Sequence, residues 1–200
     1  MKPTPALASA LILTASRLVG RAIAVDPRFP PTGPFKMTVL APDQPAIHYS
    51  PVKASGGYFY INKPTNSTCG DVEPILDGPT ADGGALSTYG DGREDTQQTF
   101  LDISGAAGGI FSYLGPLYKA LTFDHIADEF SRVAGDDISQ LYYEDAGWLA
   151  CPTGNDPADG VYVVYADKAY GHAVGREECI PFGIRTDAVE GEGLRVCEYL

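Results

Sequence analysis

The chain is short of positive charge, of histidine and of tryptophan, and each shortage removes a class of function. Fourteen Lys and Arg stand against 26 Asp and Glu, a formal net charge of −12. Nucleic acid and anionic membranes both require a basic face, so neither is an expected partner. His48, His125 and His172 are the only histidines, and no Gly-x-Ser-x-Gly elbow is present to set a nucleophilic serine beside one of them. His125 follows Asp124 in a strand-like run, His48 lies in an expected strand and His172 in an expected loop; none carries a catalytic motif. No two cysteines have zinc-ribbon spacing. The oxygen-rich stretches Asp91–Asp95 and Asn155–Gly160 do not match an EF-hand loop and read as solvated turns. No glycine motif for phosphate follows a strand and opens a helix. No metal or cofactor is therefore expected. Beyond the N-terminus no ten-residue segment repeats apolar residues at helical spacing, which argues against a bundle.

What the chain has instead is turn and strand material: 23 Gly, 16 Pro, 12 Tyr and 8 Phe. Phe35–Leu40 alternates apolar and polar residues, and Ala46–Tyr49, Gly57–Ile61, Val161–Tyr165 and Leu194–Tyr199 are further strand candidates. Two hairpins are signalled, Thr99–Ile103 with Ile110–Leu114 and Phe130–Val133 with Ile138–Tyr143, and Leu117–Ile126 could add another strand pair. The expected fold is all-β, with ten to twelve short strands in a barrel or sandwich and a β-trefoil as the variant. Residues 35–200 are long enough for one domain. Within it, residues 70–97, rich in glycine and aspartate, are expected to form a mobile acidic loop with at most a short strand at Ala85–Tyr89.

The ends and the cysteines place the protein outside the cell. Lys2, the apolar run Ala6–Ala15 and Ala22-Ile23-Ala24 have the pattern of a secretory signal over residues 1–24, with cleavage after Ser16 as an alternative. Arg17 and Arg21 break the apolar run well short of the roughly 18 residues a membrane span needs. A proline-rich leader, 25–34, follows, and no hydrophobic tail signals a lipid anchor. Cys69, Cys151, Cys179 and Cys197 are an even set, which in an exported protein implies two disulfides. Three pairings are open; Cys179–Cys197 with Cys69–Cys151 is the expected one. Asn66-Ser67-Thr68 is an N-glycosylation sequon, placing Asn66 at the surface.

From Phe35 onward these pieces occur in a recognisable order. The strands at Phe35 and Ala46–Tyr49 precede Asn66-Ser67-Thr68-Cys69, the Phe100–Tyr113 hairpin and the Phe130–Tyr143 hairpin leading to Ala150-Cys151-Pro152. Tyr162–Asp167, Phe182-Gly183-Ile184-Arg185 and Cys197-Glu198-Tyr199 complete the series. The chain resembles the fungal secreted cell-wall protein family named for PhiA. It departs in having Tyr162 and Tyr165 where tryptophan is usual, and a longer acidic stretch between Cys69 and Phe100. The resemblance implies a secreted, wall-associated protein linked to spore-forming structures and allergenicity, with no established active site to carry over.

Three functional readings follow. In the first, the protein is a non-enzymatic wall component that contacts wall glycan or other wall proteins. Tyr142, Tyr143, Trp148, Tyr162, Tyr165 and Tyr170 cluster in sequence, and Trp148, Tyr162 and Tyr165 are the candidates for stacking on sugar; otherwise these rings build the core. In the second, it is a small glycoside hydrolase using a carboxylate pair, for which Glu144-Asp145 ahead of Trp148 is the first place to look. In the third, it is a secreted effector or elicitor.

Overall fold

The computed structural model describes residues 31–80, 83–92, 96–105, 107–135, 137–154, 160–169 and 178–200. The expected export signal at 1–24, most of the leader, Tyr170 and His172 lie outside the described residues.

β1 (Phe35–Leu40) buries Phe35, Met37 and Val39 and half-exposes the residues between, the period-two pattern its sequence announced. β2 (Val52–Ser55) and β3 (Tyr58–Ile61) form a hairpin. Its two turn residues, Gly56 and Gly57, lie at φ 63° and 92°, the left-handed pair that a tight hairpin matched to strand twist requires. β4 (Leu76–Asp77) and β5 (Ser87–Thr88) are short. The two expected hairpins follow as β6 (Thr99–Asp102) with β7 (Ile110–Tyr113), and β9 (Phe130–Ala134) with β10 (Ser139–Tyr143), separated by β8 (His125–Ile126). β11 (Trp148–Pro152), β12 (Tyr162–Ala166) and β13 (Ile180–Ala188) complete an all-antiparallel set of thirteen among the described residues.

The last strand joins everything. At its start β13 pairs with β11, Ala150 opposite Ile180 and Trp148 opposite Phe182. From Gly183 onward it lies between β1 and β10. Thus β5-β4-β1-β13-β10-β9 forms one layer and β13-β11-β12-β3-β7-β6-β8 the other, with β13 common to both. Gly183 sits at the crossover, where a Cβ would come within 2.9 Å of Gln140 Oε1. One hydrophobic cluster takes Phe35, Met37 and Val39 from the first layer and Phe59, Phe111, Trp148 and Val164 from the second.

Several expectations are corrected here. The ladder does not close into a barrel: isolated bridges tie the β4–β5 stretch to Phe130 of β9 in its own layer, through Gly84, and to Gln98 just before β6 in the second, through Ser87, without completing a strand pair. Ala46–Tyr49 is a turn, not a strand, because Gln44 C=O accepts the amides of both Ile47 and His48 and Tyr49 turns left-handed at φ 63°. Leu117–Ile126 yields only the two residues of β8. Leu194–Tyr199 is not a strand and makes a single bridge, Ser67–Tyr199. Among the described residues of 70–97, β4 and β5 form and several side chains are anchored. Ile75, Leu76 and Leu86 are at most 3% exposed, and ion pairs Lys36–Glu73 and Lys53–Asp71 hold the start of the stretch. A composition average hides the few apolar residues that do the anchoring.

The disulfides are Cys69–Cys197 and Cys151–Cys179, not the expected pairing. Strand register explains both. With Ala150 opposite Ile180, continuing the antiparallel register sets Cys151 opposite Cys179. β13 then carries the chain roughly 30 Å away from Cys179. Residues 196–200 come to rest along 66–69, where Thr68 N–H donates to Glu198 C=O at 2.9 Å.

A tyrosine face on the outer side of the second layer

Alternation along β3 and β12 divides their side chains between two environments. Phe59 and Ile61 turn into the main core, and Tyr58 and Tyr60 turn outward. Tyr162, Val164 and Ala166 likewise turn inward, while Val163 and Tyr165 turn outward. Leu149 and Cys151 of β11 and Ile110 of β7 extend the outer patch, and Cys179 packs against it. Tyr58, Tyr60 and Tyr165 line an open hollow of about 450 Å³ together with Ile110, Val163 and Pro152.

Two of the three sequence candidates for sugar stacking are therefore core residues. Trp148 is 1% exposed, its ring centroid lies 4.9 Å from that of Phe111, and its indole N–H donates to Leu141 C=O at 2.8 Å. It has no face left for a ligand. Tyr162 is 8% exposed and belongs to the same core. Tyr165 alone reaches the hollow, joined by Tyr58 and Tyr60, which sequence analysis placed on a strand without assigning them a role. The signal for them was present: tyrosines two apart on a strand entered through Gly56-Gly57 must share a face.

The face is held in place from behind. Tyr118 Oη lies 2.8 Å from Asp102 Oδ2 and 3.1 Å from Tyr58 Oη. Ionised Asp102 can only accept, so the single Tyr118 proton goes to the carboxylate and Tyr58 donates to Tyr118. Burial, and donation to the Asp102 carboxylate, raise the Tyr118 phenol far above its ordinary value, so it remains a neutral donor. Asp102 itself is 4% exposed. Burial would raise its carboxyl, but the Ser104 hydroxyl and amide, Tyr118 and nearby His125 together hold it below the usual range. His125 stacks on Phe100 at 4.3 Å, and its Nδ1 accepts the Thr122 amide. On the other side of the face, Lys63 Nζ sits 3.8 Å from the Tyr60 ring centroid and occupies one side of that ring. Burial, with Tyr58 adding to it, raises the Tyr60 phenol, which stays protonated at neutral pH.

A lowered carboxyl stabilises the fold above its unfolded pKa of about 3.9 and loses that contribution as pH falls through the lower folded value. Urea midpoints of the protein are thus expected to drop on acidification below about pH 4, with Asp102 contributing a slope of at most about 1.4 kcal/mol per pH unit. Asp102→Asn should be less stable at pH 7 and flatter over that acid window. An unchanged slope would remove Asp102 from the account.

The other candidates are built differently. Glu144 is bound by Lys168 Nζ at 2.6 Å and by the Tyr143 hydroxyl at 3.2 Å. The Lys168 bond, aided by Tyr143, lowers its carboxyl, the reverse of what a general acid needs. Glu144 and Asp145 both lie in a tight turn at positive φ between β10 and β11. His48 accepts the Ala41 amide through Nδ1 and stacks on Tyr49, fixing a turn. Among the described residues no three His, Cys, Asp or Glu side chains converge as a metal site. Asn66 is exposed, at the edge of the segment beside Cys69–Cys197.

No solved structure matches the chain. The cell wall protein phiA of Emericella nidulans is 25% identical over 150 residues, which cover 72% of this chain and 76% of that protein. The profile of the PhiA-like secreted proteins matches residues 35–200, from the first residue of β1 through both disulfides. On that match, the chain belongs to the PhiA-like secreted protein family.

Proposed function

We propose that this is a non-enzymatic, exported protein of the fungal wall that holds wall polysaccharide against the Tyr58–Tyr60–Tyr165 face. The observation that carries the reading is the hollow itself: three outward tyrosines on adjacent strands, Tyr58 among them fixed by the Asp102–Tyr118 pair, with no carboxylate among the described residues that line it. Flat rings with a polar tip suit a sugar, whose apolar face stacks while its hydroxyls accept or donate at the phenol. The secreted family supports export, as does the signal pattern at 1–24, and the name of the Emericella nidulans relative supports the wall. A role in spore-forming structures rests on the family resemblance. The hydrolase reading fares worse, since Glu144 is clamped and kept ionised.

The test is retention on insoluble wall polysaccharide. Two rings contributing about 1 kcal/mol each make Tyr60→Ala with Tyr165→Ala bind roughly tenfold or more weakly. The double change Glu144→Ala, Asp145→Ala should leave retention intact. Folded Tyr60/Tyr165 variants that bind like the parent would sink the proposal, and release of reducing sugar that is lost with the acids would replace it with the hydrolase.

A further inference from the structure

The sequon at Asn66 is exposed in the folded protein, yet its backbone is held along both edges. On one side Asn66 N–H donates to Ala54 C=O at 2.9 Å. On the other, Leu200 N–H donates to Asn66 C=O at 2.8 Å and Thr68 N–H to Glu198 C=O at 2.9 Å. Thr68 Oγ1, the hydroxyl that defines the sequon, accepts the Glu198 amide at 3.0 Å. Ser67 donates to Gly70 C=O at 2.7 Å and forms the bridge with Tyr199. Cys69–Cys197 closes the arrangement covalently.

The residues that clamp the sequon from the far side are themselves anchored. Tyr199 is 1% exposed, and its hydroxyl accepts the Ile75 amide at 3.1 Å. Gln97 grips the Tyr199 backbone from both ends, accepting its amide at 2.7 Å and donating to its carbonyl at 2.8 Å. Opening the sequon therefore means breaking a disulfide and extracting a buried tyrosine. Cys197 follows Cys69 by 128 positions, which at typical synthesis rates of 5–20 residues per second is roughly 6–25 s.

We infer that Asn66 is a glycan acceptor only in the interval before Cys69–Cys197 closes, and that closure shuts the site permanently. In the transfer, the Asn66 amide nitrogen bonds to the anomeric carbon of a lipid-diphosphate-linked oligosaccharide. The carbon–oxygen bond to the diphosphate breaks, the lipid diphosphate leaves with the electron pair, and the amide gives up one proton. A transferase must take residues 66–68 into its own cleft, so the segment has to be free of its partners at that moment. Because the Asn66 side chain points to solvent, the finished fold accommodates a glycan that it can no longer acquire.

The experiment uses the mature chain prepared without glycan, either oxidised and folded or reduced and alkylated, incubated with oligosaccharyl transferase and its lipid-linked donor. The folded protein should be modified about tenfold or more slowly than the reduced chain, since reaction waits on local opening. Equal rates would overturn the inference. A pulse-chase in a secreting host gives the second arm. The glycosylated form should appear before the cross-linked form on non-reducing gels, and Cys197→Ser, which leaves the clamp unlocked, should reach at least the parent's occupancy. A cross-linked, unglycosylated species that later gains glycan, or a secreted protein with Asn66 unmodified, would also overturn it.

Discussion

Trp148→Ala is expected to destabilise the protein by about 3–5 kcal/mol, a large part of the 5–15 kcal/mol typical of a domain. The indole is 1% exposed and packs against both Phe111 and Phe130, with ring centroids 4.9 and 6.5 Å away. Truncation leaves a cavity where β11 meets the first layer. It also leaves Leu141 C=O without the indole N–H that reaches across from β11 to β10. Trp148→Phe should recover most of the packing but not the hydrogen bond, and so fall between. The measurement is a urea unfolding curve followed by far-ultraviolet circular dichroism, which does not depend on the lost fluorophore. A Trp148→Ala protein as stable as the parent would mean that the ring is not the centre of the core. This variant also bears on function, since weakened wall retention in it would report lost folding and not lost stacking.

Opening Cys69–Cys197 by Cys197→Ser is expected to cost about 4–5 kcal/mol on the chain-entropy account, because the bridge closes a separation of 128 residues. Cys151–Cys179 spans only 28, and the same logarithmic dependence makes its loss about 1 kcal/mol milder. The structure sharpens the contrast. Cys151 and Cys179 sit on strands already paired through Ala150 and Ile180, whereas 196–200 make one bridge and a few hydrogen bonds to 66–69. Paired Ser variants at each bridge, compared by urea midpoint and by secretion yield, should rank accordingly. Mass spectrometry of the unreduced protein should show the 69–197 and 151–179 peptides and no others. A larger loss on opening 151–179 would mean that strand pairing in the second layer depends on that bridge.

The strand alternation at Phe35–Leu40, the two aromatic hairpins and the even cysteine count were all legible because each is a local signal. Period-two burial, a glycine turn and oxidised thiols need only near neighbours to be recognised. β13 was not legible as a strand. Pro181 and Gly183 interrupt it, and Arg185 and Asp187, paired at 2.6 Å, dilute its apolar character. Its strand state is imposed by β1, β10 and β11, which supply the pairing that its own propensities do not.

What the sequence by itself determined is the class: an acidic, exported, disulfide-bearing β-protein with a PhiA-like order of motifs. Tertiary structure decided the cysteine pairing, because register across β11 and β13 is a long-range property that no spacing encodes. It also decided which aromatics face out. Trp148, Tyr162 and Tyr165 look alike in a list, and only the alternation of β11 and β12 against a filled core separates them, giving two to the interior and one to the face with Tyr58 and Tyr60. The reason is general to β-structure. A strand fixes that neighbouring side chains point opposite ways, while the packing of one layer on another fixes which way is in.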